Sequence, residues 1–321
     1  LNRAYSPNVY SATGRDEDGN LIFDQTVVGT GYMSLARSNA GWTTINFEGS
    51  LTYERLFADD HRVSALFLYS VRNRTNNVPG TYIAAFPYRN MGIAARVTYA
   101  FRDKYFLEFN CGYNGSENFA PGKRYGFFPA YALGYMISNE KFWEPLRNII
   151  PQFKIRASWG LVGNDQTGAG RFTFLENLTN SGAGFTTGTG NQTHTNSGPV
   201  WKRYANPNLT WEVGEKWNAG IDVRILKGFS FSADIFKEVR KEIFMDRGTI
   251  PTLMGLGNVT VQGNLGKMRN WGIDTSVDYN NQINKDLFVS FKGTFTFAHN
   301  KILEMDEPEF SLYPNRMKVG H

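Results

Sequence analysis

From Leu287 to Asn300 the chain reads LFVSFKGTFTFAHN, with Val289, Phe291, Phe295 and Phe297 on one parity and Ser290, Lys292, Thr294 and Thr296 on the other. Successive strand side chains point to opposite faces, so one face here is apolar and the other carries hydroxyls and an ammonium. Alternation of this kind predicts ten strands, at about 43–56, 62–72, 89–102, 104–115, 126–138, 151–162, 210–226, 229–240, 267–281 and 287–299. In the first, Ile45, Phe47, Leu51 and Tyr53 alternate with Thr44, Asn46, Glu48, Ser50 and Thr52. In the seventh, Trp217, Ala219, Ile221, Val223 and Ile225 alternate with Lys216, Asn218, Asp222 and Arg224.

The links sort by length. ADDH (58–61), RDK (102–104), LKG (226–228) and INKD (283–286) are short, and 139–151 is middling with room for a helical turn. The intervening links are long, at about 1–42, 73–88, 116–125, 163–209 and 241–266. In an up-and-down meander, all short links then fall at one end and all long links at the other. Strands of about ten residues, apolar on one face, with tight turns at one end and long loops at the other, are the pattern of an outer-membrane β-barrel. A soluble β-sandwich also alternates, but has no reason to sort its links. Tyr53, Phe57, Phe101 and Tyr105 gather toward the short turns, and Tyr113, Trp217 and Trp271 toward the long links, as two interfacial girdles would. Two charges, Glu215 and Lys237, carry the apolar parity. Both lie at the long-link ends of their strands, where such a charge is cheap.

Composition fits strands and turns. The 321 residues include 25 Phe, 16 Tyr, 7 Trp and 33 Gly. The net charge of +5 is scattered rather than clustered, which argues against a nucleic-acid partner. One cysteine, Cys111, excludes an intrachain disulfide, and no run of about 20 apolar residues offers a membrane-spanning helix.

Chemical motifs are few. RDEDGN (15–20) lacks the third acid and the distal Glu of a calcium loop and reads as a turn tip. EMDEPEF (304–310) reads as a solvated link, and neither GTG (188–190) nor GLG (255–257) continues into a phosphate-binding fingerprint. No catalytic residues, metal site or cofactor are expected. The link 163–209 is the most suggestive region. Asp165, Phe185, Asn191, His194, Trp201 and Tyr204 pair aromatic faces with amides and a carboxylate, as sugar rings require. If the polar parity faces a lumen, then Glu48, Arg96, Glu108, Lys154, Arg156, Asp222, Arg224, Asp274 and Lys292 line it with both signs of charge. A single-sign ring would suggest an ion filter, whereas mixed signs suit neutral, hydroxyl-rich cargo.

Four stretches carry a family likeness. YNGSENFAPGKRYGFFPAYALGYMISNEKFW (113–143), KIRASWGLVGND (154–165), NPNLTWEVGEKWNAGID (206–222) and NLGKMRNWGIDTSV (264–277) resemble, in order, signatures of the SusC/RagA-type TonB-dependent outer-membrane transporters of Bacteroidetes. Asn114 and Tyr125 depart mildly from that pattern. In such families these motifs mark strand ends and turns rather than substrate contacts. The resemblance implies an all-β, transmembrane, antiparallel up-and-down barrel of 22 strands with an N-terminal plug. About ten of those strands are here, and the plug, the TonB-contacting segment and the closing C-terminal strands lie outside this stretch. It implies a non-enzymatic, multi-pass protein of the bacterial outer membrane that imports oligosaccharide or peptide. Its partners would be outer-membrane lipid, a SusD-like lipoprotein and, through the plug, the TonB complex. Two other readings stay open: an outer-membrane enzyme on a complete ten-stranded barrel, built on His194 and Asp165, and a secreted soluble β-rich binding protein.

Overall fold

A computed structural model describes the chain except residues 1, 37, 167, 169, 189–193, 226–227, 255–258 and 260. Two compact units result, Leu1–Thr44 with Arg74–Pro87 and Ile45–Asn73 with Tyr88–His321. The strands are β1 (Asn2–Ser6), β2 (Val9–Arg15), β3 (Leu21–Val27), β4 (Thr30–Ala36), β5 (Trp42–Phe57), β6 (His61–Asn76), β7 (Tyr88–Phe101), β8 (Tyr105–Ser116), β9 (Tyr125–Met136), β10 (Gln152–Asn164), β11 (Asn177–Thr187), β12 (His194–Arg203), β13 (Glu212–Ile225), β14 (Phe229–Asp246), β15 (Gln262–Gln282) and β16 (Phe288–Glu304).

Ten of them form one open sheet, β5 through β10 followed by β13 through β16, with β5 and β16 at its edges. Each pairing from β7 onward is antiparallel. These are the ten strands that the alternation predicts. Lys154 pairs with Asp222, Asp234 with Asp274 and Ala157 with Ala219, so like parity stays on one face from strand to strand. The charged face and the apolar face are therefore continuous surfaces.

No second sheet covers the apolar face among the described residues, which disposes of the sandwich. Phe295 is 62% exposed, Ile235 62% and Trp217 52%, while among the described residues the buried hydrophobic ones are Phe119, Ala120, Leu209 and Trp211. An aromatic face of this extent cannot stand in water and calls for an apolar solvent.

The short turns are tight. Ala58 and Asp59 have φ of 48° and 61°, and Arg102 and Asp103 have 52° and 48°. Two successive left-handed residues make the type I′ geometry that matches strand twist. In the third turn, Leu226 and Lys227 lie outside the described residues. Gly228 has φ 79°, and a Cβ there would fall 1.6 Å from the Asn280 carbonyl oxygen, so no side chain fits. The middling link holds the helical turn α2 (Glu144–Arg147).

The long links are more ordered than the sequence suggests. Residues 1–42 contain two antiparallel pairs, β1 with β4 and β2 with β3. The RDEDGN turn joins β2 to β3: the Asp16 carboxylate accepts backbone N–H groups from Asp18 (3.1 Å) and Asn20 (2.7 Å). Its pKa is held below the ordinary range mainly by the Asn20 bonds. The link 73–88 carries the short helix α1 (Tyr82–Ala85), capped by Thr81. In the link 163–209, β11 (Asn177–Thr187) pairs antiparallel with β12 (His194–Arg203). β14 and β15 run further than predicted, because a bulge between Arg240 and Ile243 breaks the alternation where Glu242 turns to φ 56°.

Candidate functional site

The charged face is internally paired. Arg96 meets Glu108 at 3.0 Å across β7 and β8, and Asn110 donates to the other Glu108 oxygen at 2.8 Å. Arg156 bridges two acids, Asp222 at 3.1 Å and Asp234 at 2.5 Å. Asp234 stands opposite Asp274, so the guanidinium also relieves repulsion between neighbouring carboxylates. Lys292 lies 3.6 Å from Asp278, and the Lys154 ammonium sits 5.1 Å from the Phe106 ring centroid. Between Glu108 and the Lys154–Arg156 pair, the small residues Ala132 and Gly134 leave a hollow of about 460 Å³. Glu48 and Arg224 share the parity but make no ion pair among the described residues. Asp234 and Asp278 were absent from the sequence-derived set, although their parity alone identifies them.

At the long-link end the four family-like stretches converge. Phe119, Leu209 and Trp211 are buried together, against Phe128, Phe174, Val213 and Phe244. Three links thus contribute to one apolar cluster. Phe119 and Phe128 lie 5.4 and 5.3 Å from Trp211, and the indole N–H donates to the Arg124 carbonyl at 3.3 Å. A Cβ on Gly163 would fall 1.9 Å from Phe128, so the glycine of LVGND is what admits that ring. Asn206 donates to the Gln262 carbonyl at 2.8 Å, and Asn264 accepts from the Thr210 N–H at 3.0 Å. Motif residues far apart in the sequence, such as Gly163 and Asn264 or Phe119 and Trp211, serve one latch between links rather than separate turns.

Beside this cluster lies a polar cleft of about 350 Å³, lined by Tyr88, Arg89, Asn90, Ser116, Glu117, Asn118, Asp165, Gln166, Gly168, Gly170 and Arg171. Asn90 and Ser116 are register partners with the parity of the charged face. Ser116 donates to Asp165 at 2.6 Å, and Asn118 donates to the Asp165 carbonyl at 3.1 Å. One Glu117 oxygen lies 3.9 Å from Arg89 and the other 3.8 Å from Arg171. The Arg171 guanidinium stacks 3.9 Å from the Tyr88 ring centroid, and burial lowers its pKa.

Five of the six candidate residues of the link 163–209 lie among the described residues. Asp165 belongs to the cleft. Trp201 and Tyr204 stack at 5.7 Å, and Phe185 and His194 lie on β11 and β12 respectively. Asn191 lies outside the described residues. No group of three or more acidic, His or Cys side chains among the described residues could hold a metal ion. The Glu307 carboxylate instead accepts backbone N–H groups from Val319 and Lys318, which lower its pKa.

The family described as TonB dependent receptor-like, beta-barrel, matches residues 2–315. The TonB-dependent receptor SusC of Bacteroides thetaiotaomicron is 27% identical over 219 residues, covering 68% of this chain and 21% of the relative. A TonB-dependent receptor of Formosa agariphila is 28% identical over 298 residues, covering 84% and 28%. The chain therefore spans about a quarter of the relatives it matches. Among solved structures, the RagAB peptide transporter aligns with a TM-score of 0.66 at 18% identity, over 82% of this chain and 30% of that one. The siderophore receptor PirA of Pseudomonas aeruginosa aligns at 0.52 and 14% identity, over 83% and 44%. At these identities the structural likeness speaks for the fold: ten strands of a transmembrane barrel.

Proposed function

Because the chain belongs to the TonB dependent receptor-like β-barrel family, we propose that it supplies barrel wall and outer links to an active importer of oligosaccharides in the outer membrane. Energy comes from TonB through a plug domain, and a SusD-like surface lipoprotein closes over the long-link end. The charged face lines the lumen and the apolar face meets lipid. The observation that carries the cargo class is the pairing on the charged face. Arg96 neutralises Glu108, and Arg156 offsets one of the two charges of Asp222 and Asp234, which leaves a wall of mostly paired, hydrogen-bonding groups. Such a wall passes a neutral, hydroxyl-rich chain by exchanging one hydrogen bond for another, without trapping it by charge. The stacked Trp201–Tyr204 pair offers an aromatic face to the C–H side of a sugar ring.

Peptide is the second reading. The Arg89–Glu117–Arg171 row would suit the two ends of a short peptide, one carboxylate and one ammonium. Growth on defined oligosaccharides and on defined peptides, in cells lacking the full-length gene, separates the two. Loss of growth on oligosaccharide, restored by the wild-type gene and abolished again without TonB, is expected. Unimpaired oligosaccharide growth with impaired peptide growth would replace the first reading by the second.

A further inference from the structure

The apolar face has one place that lipid tails alone do not satisfy. Counted from the short-turn end of each strand, Trp217 lies eight residues from Ile225, Tyr113 eight from Tyr105 and Trp271 eleven from Gln282. This is the girdle level on the long-link side. Lys237 sits at the same level, eight residues from Phe229, and its register partners are Trp217 on one side and Trp271 on the other. It makes no ion pair among the described residues. Just beyond it, Arg269 and Lys301 are register partners of each other and share its parity. The Arg269 Nε is buried and has no hydrogen-bond partner.

The acid nearby is already engaged. Glu215 accepts from Lys241 at 2.8 Å and from the Trp217 and Trp159 indoles at 3.3 and 3.4 Å. Lys237, Arg269 and Lys301 therefore stand as an uncompensated cationic patch where lipid headgroups begin. Directly below, toward the short turns, the apolar face is indented. Ala157 and Ala219, themselves register partners, floor a groove of about 400 Å³ between Leu133 and Ile235, with Lys237 at its rim.

We propose that this patch and groove bind one phosphorylated glycolipid of the outer leaflet, its phosphates on Lys237, Arg269 and Lys301 and one acyl chain in the Ala157–Ala219 groove. The inference rests on the reading above that the apolar face meets lipid and the long links lie outside the cell. Charge complementarity chooses the occupant. A zwitterionic lipid would leave the three cations without counter-charge, and a soluble anion would leave the groove empty. Basic residues at a membrane surface each add a modest attraction for anionic lipid, and three converging on one headgroup compound it.

The test uses the full-length protein in mild detergent, with native mass spectrometry of added diphosphorylated lipid A, its dephosphorylated form, and inorganic phosphate as competitor. Wild type is expected to prefer the diphosphorylated lipid. Lys237→Gln, Arg269→Gln or Lys301→Gln should each weaken it about fivefold, and all three together roughly a hundredfold. Ala157→Phe should weaken both lipid forms. Arg55→Gln with Lys285→Gln, near the short turns, should change nothing. Equal retention by the triple variant and wild type, or full displacement by millimolar inorganic phosphate, overturns the proposal. A heat-modifiable gel shift for every variant reports that the barrel has folded. An epitope inserted after Thr187 separates the two readings. If antibody fails to reach it on intact cells, the orientation itself falls. If it is reached and lipid retention is unchanged, the glycolipid site alone falls.

Discussion

At the short-turn end of the sheet, neighbouring turns are joined by ion pairs: Asp60 with Arg102 at 2.8 Å, Arg62 with Asp103 at 3.3 Å, and Lys104 with Glu140 at 2.7 Å. At the long-link end, three links bury Phe119, Leu209 and Trp211 together with strand residues. A two- or three-residue turn has almost no conformational freedom to lose, so it needs little beyond correct dihedrals and a surface charge or two. A long link loses far more entropy on ordering, and only burial of large apolar side chains offsets that loss. The difference predicts that the two ends respond to damage on very different scales.

The largest effect belongs to the cluster. Phe119 is fully buried, and Phe119→Ala removes it from Trp211 and leaves a cavity among three links. A cost of about 3–5 kcal/mol is expected. Amide exchange on the full-length protein should show lost protection across 117–124 and 204–211, with the short turns unchanged. Loss of protection at both ends would mean that the cluster holds the barrel as a whole and not the links alone.

The two faces sharpen the comparison between the ends. Phe295 and Thr294 are adjacent in β16, 62% exposed on the apolar face and paired with Ser276 on the charged face respectively. Phe295→Arg places a cation in lipid and should cost about 2 kcal/mol in folding titrations into vesicles. Thr294→Arg should fold as wild type. Equal tolerance would remove the assignment of faces.

What could be read in advance follows the same division. Strand existence, parity and the sorting of links were legible because alternation is a local signal, and β16 shows it residue by residue. The extension of β14 and β15 was not, because the bulge at Arg240–Ile243 breaks the alternation. Nor was the aromatic cluster. Phe128 has the parity of the charged face, and its ring is admitted by Gly126 of its own strand and by Gly163 from another. The candidate ligand residues of 163–209 were chosen by composition within one link, yet Asp165 pairs with Ser116 from a different link. Composition reports which side chains are available, not which links meet.

An intermediate effect is expected on the charged face. Arg156→Gln would leave Asp222 and Asp234 without their shared guanidinium, with Asp234 still facing Asp274 across the strand pair. About 1–3 kcal/mol should be lost, since each removed bond was to a charged group. Asp234→Asn in the same chain should restore part of it by relieving the repulsion. A double-mutant cycle in thermal unfolding measures that recovery, and strict additivity would show that Arg156 and Asp234 are not coupled.

The smallest effect lies at the short turns and is set by pH. Glu140 accepts from Lys104 and Tyr105, and the Lys104 bond does most to hold its pKa below the ordinary carboxyl range. A carboxylate whose folded pKa is depressed stabilises the fold fully above the unfolded pKa, and that contribution is lost as pH falls through the folded value. Wild type should therefore melt slightly above Glu140→Gln at pH 7. The gap should close as the pH is taken below the carboxyl range. A gap that persists into strong acid would mean that Glu140 holds the turn through neutral bonds to Tyr105 and Tyr135 rather than through its charge. The short-turn end would then resemble the long-link end more closely than its ion pairs suggest.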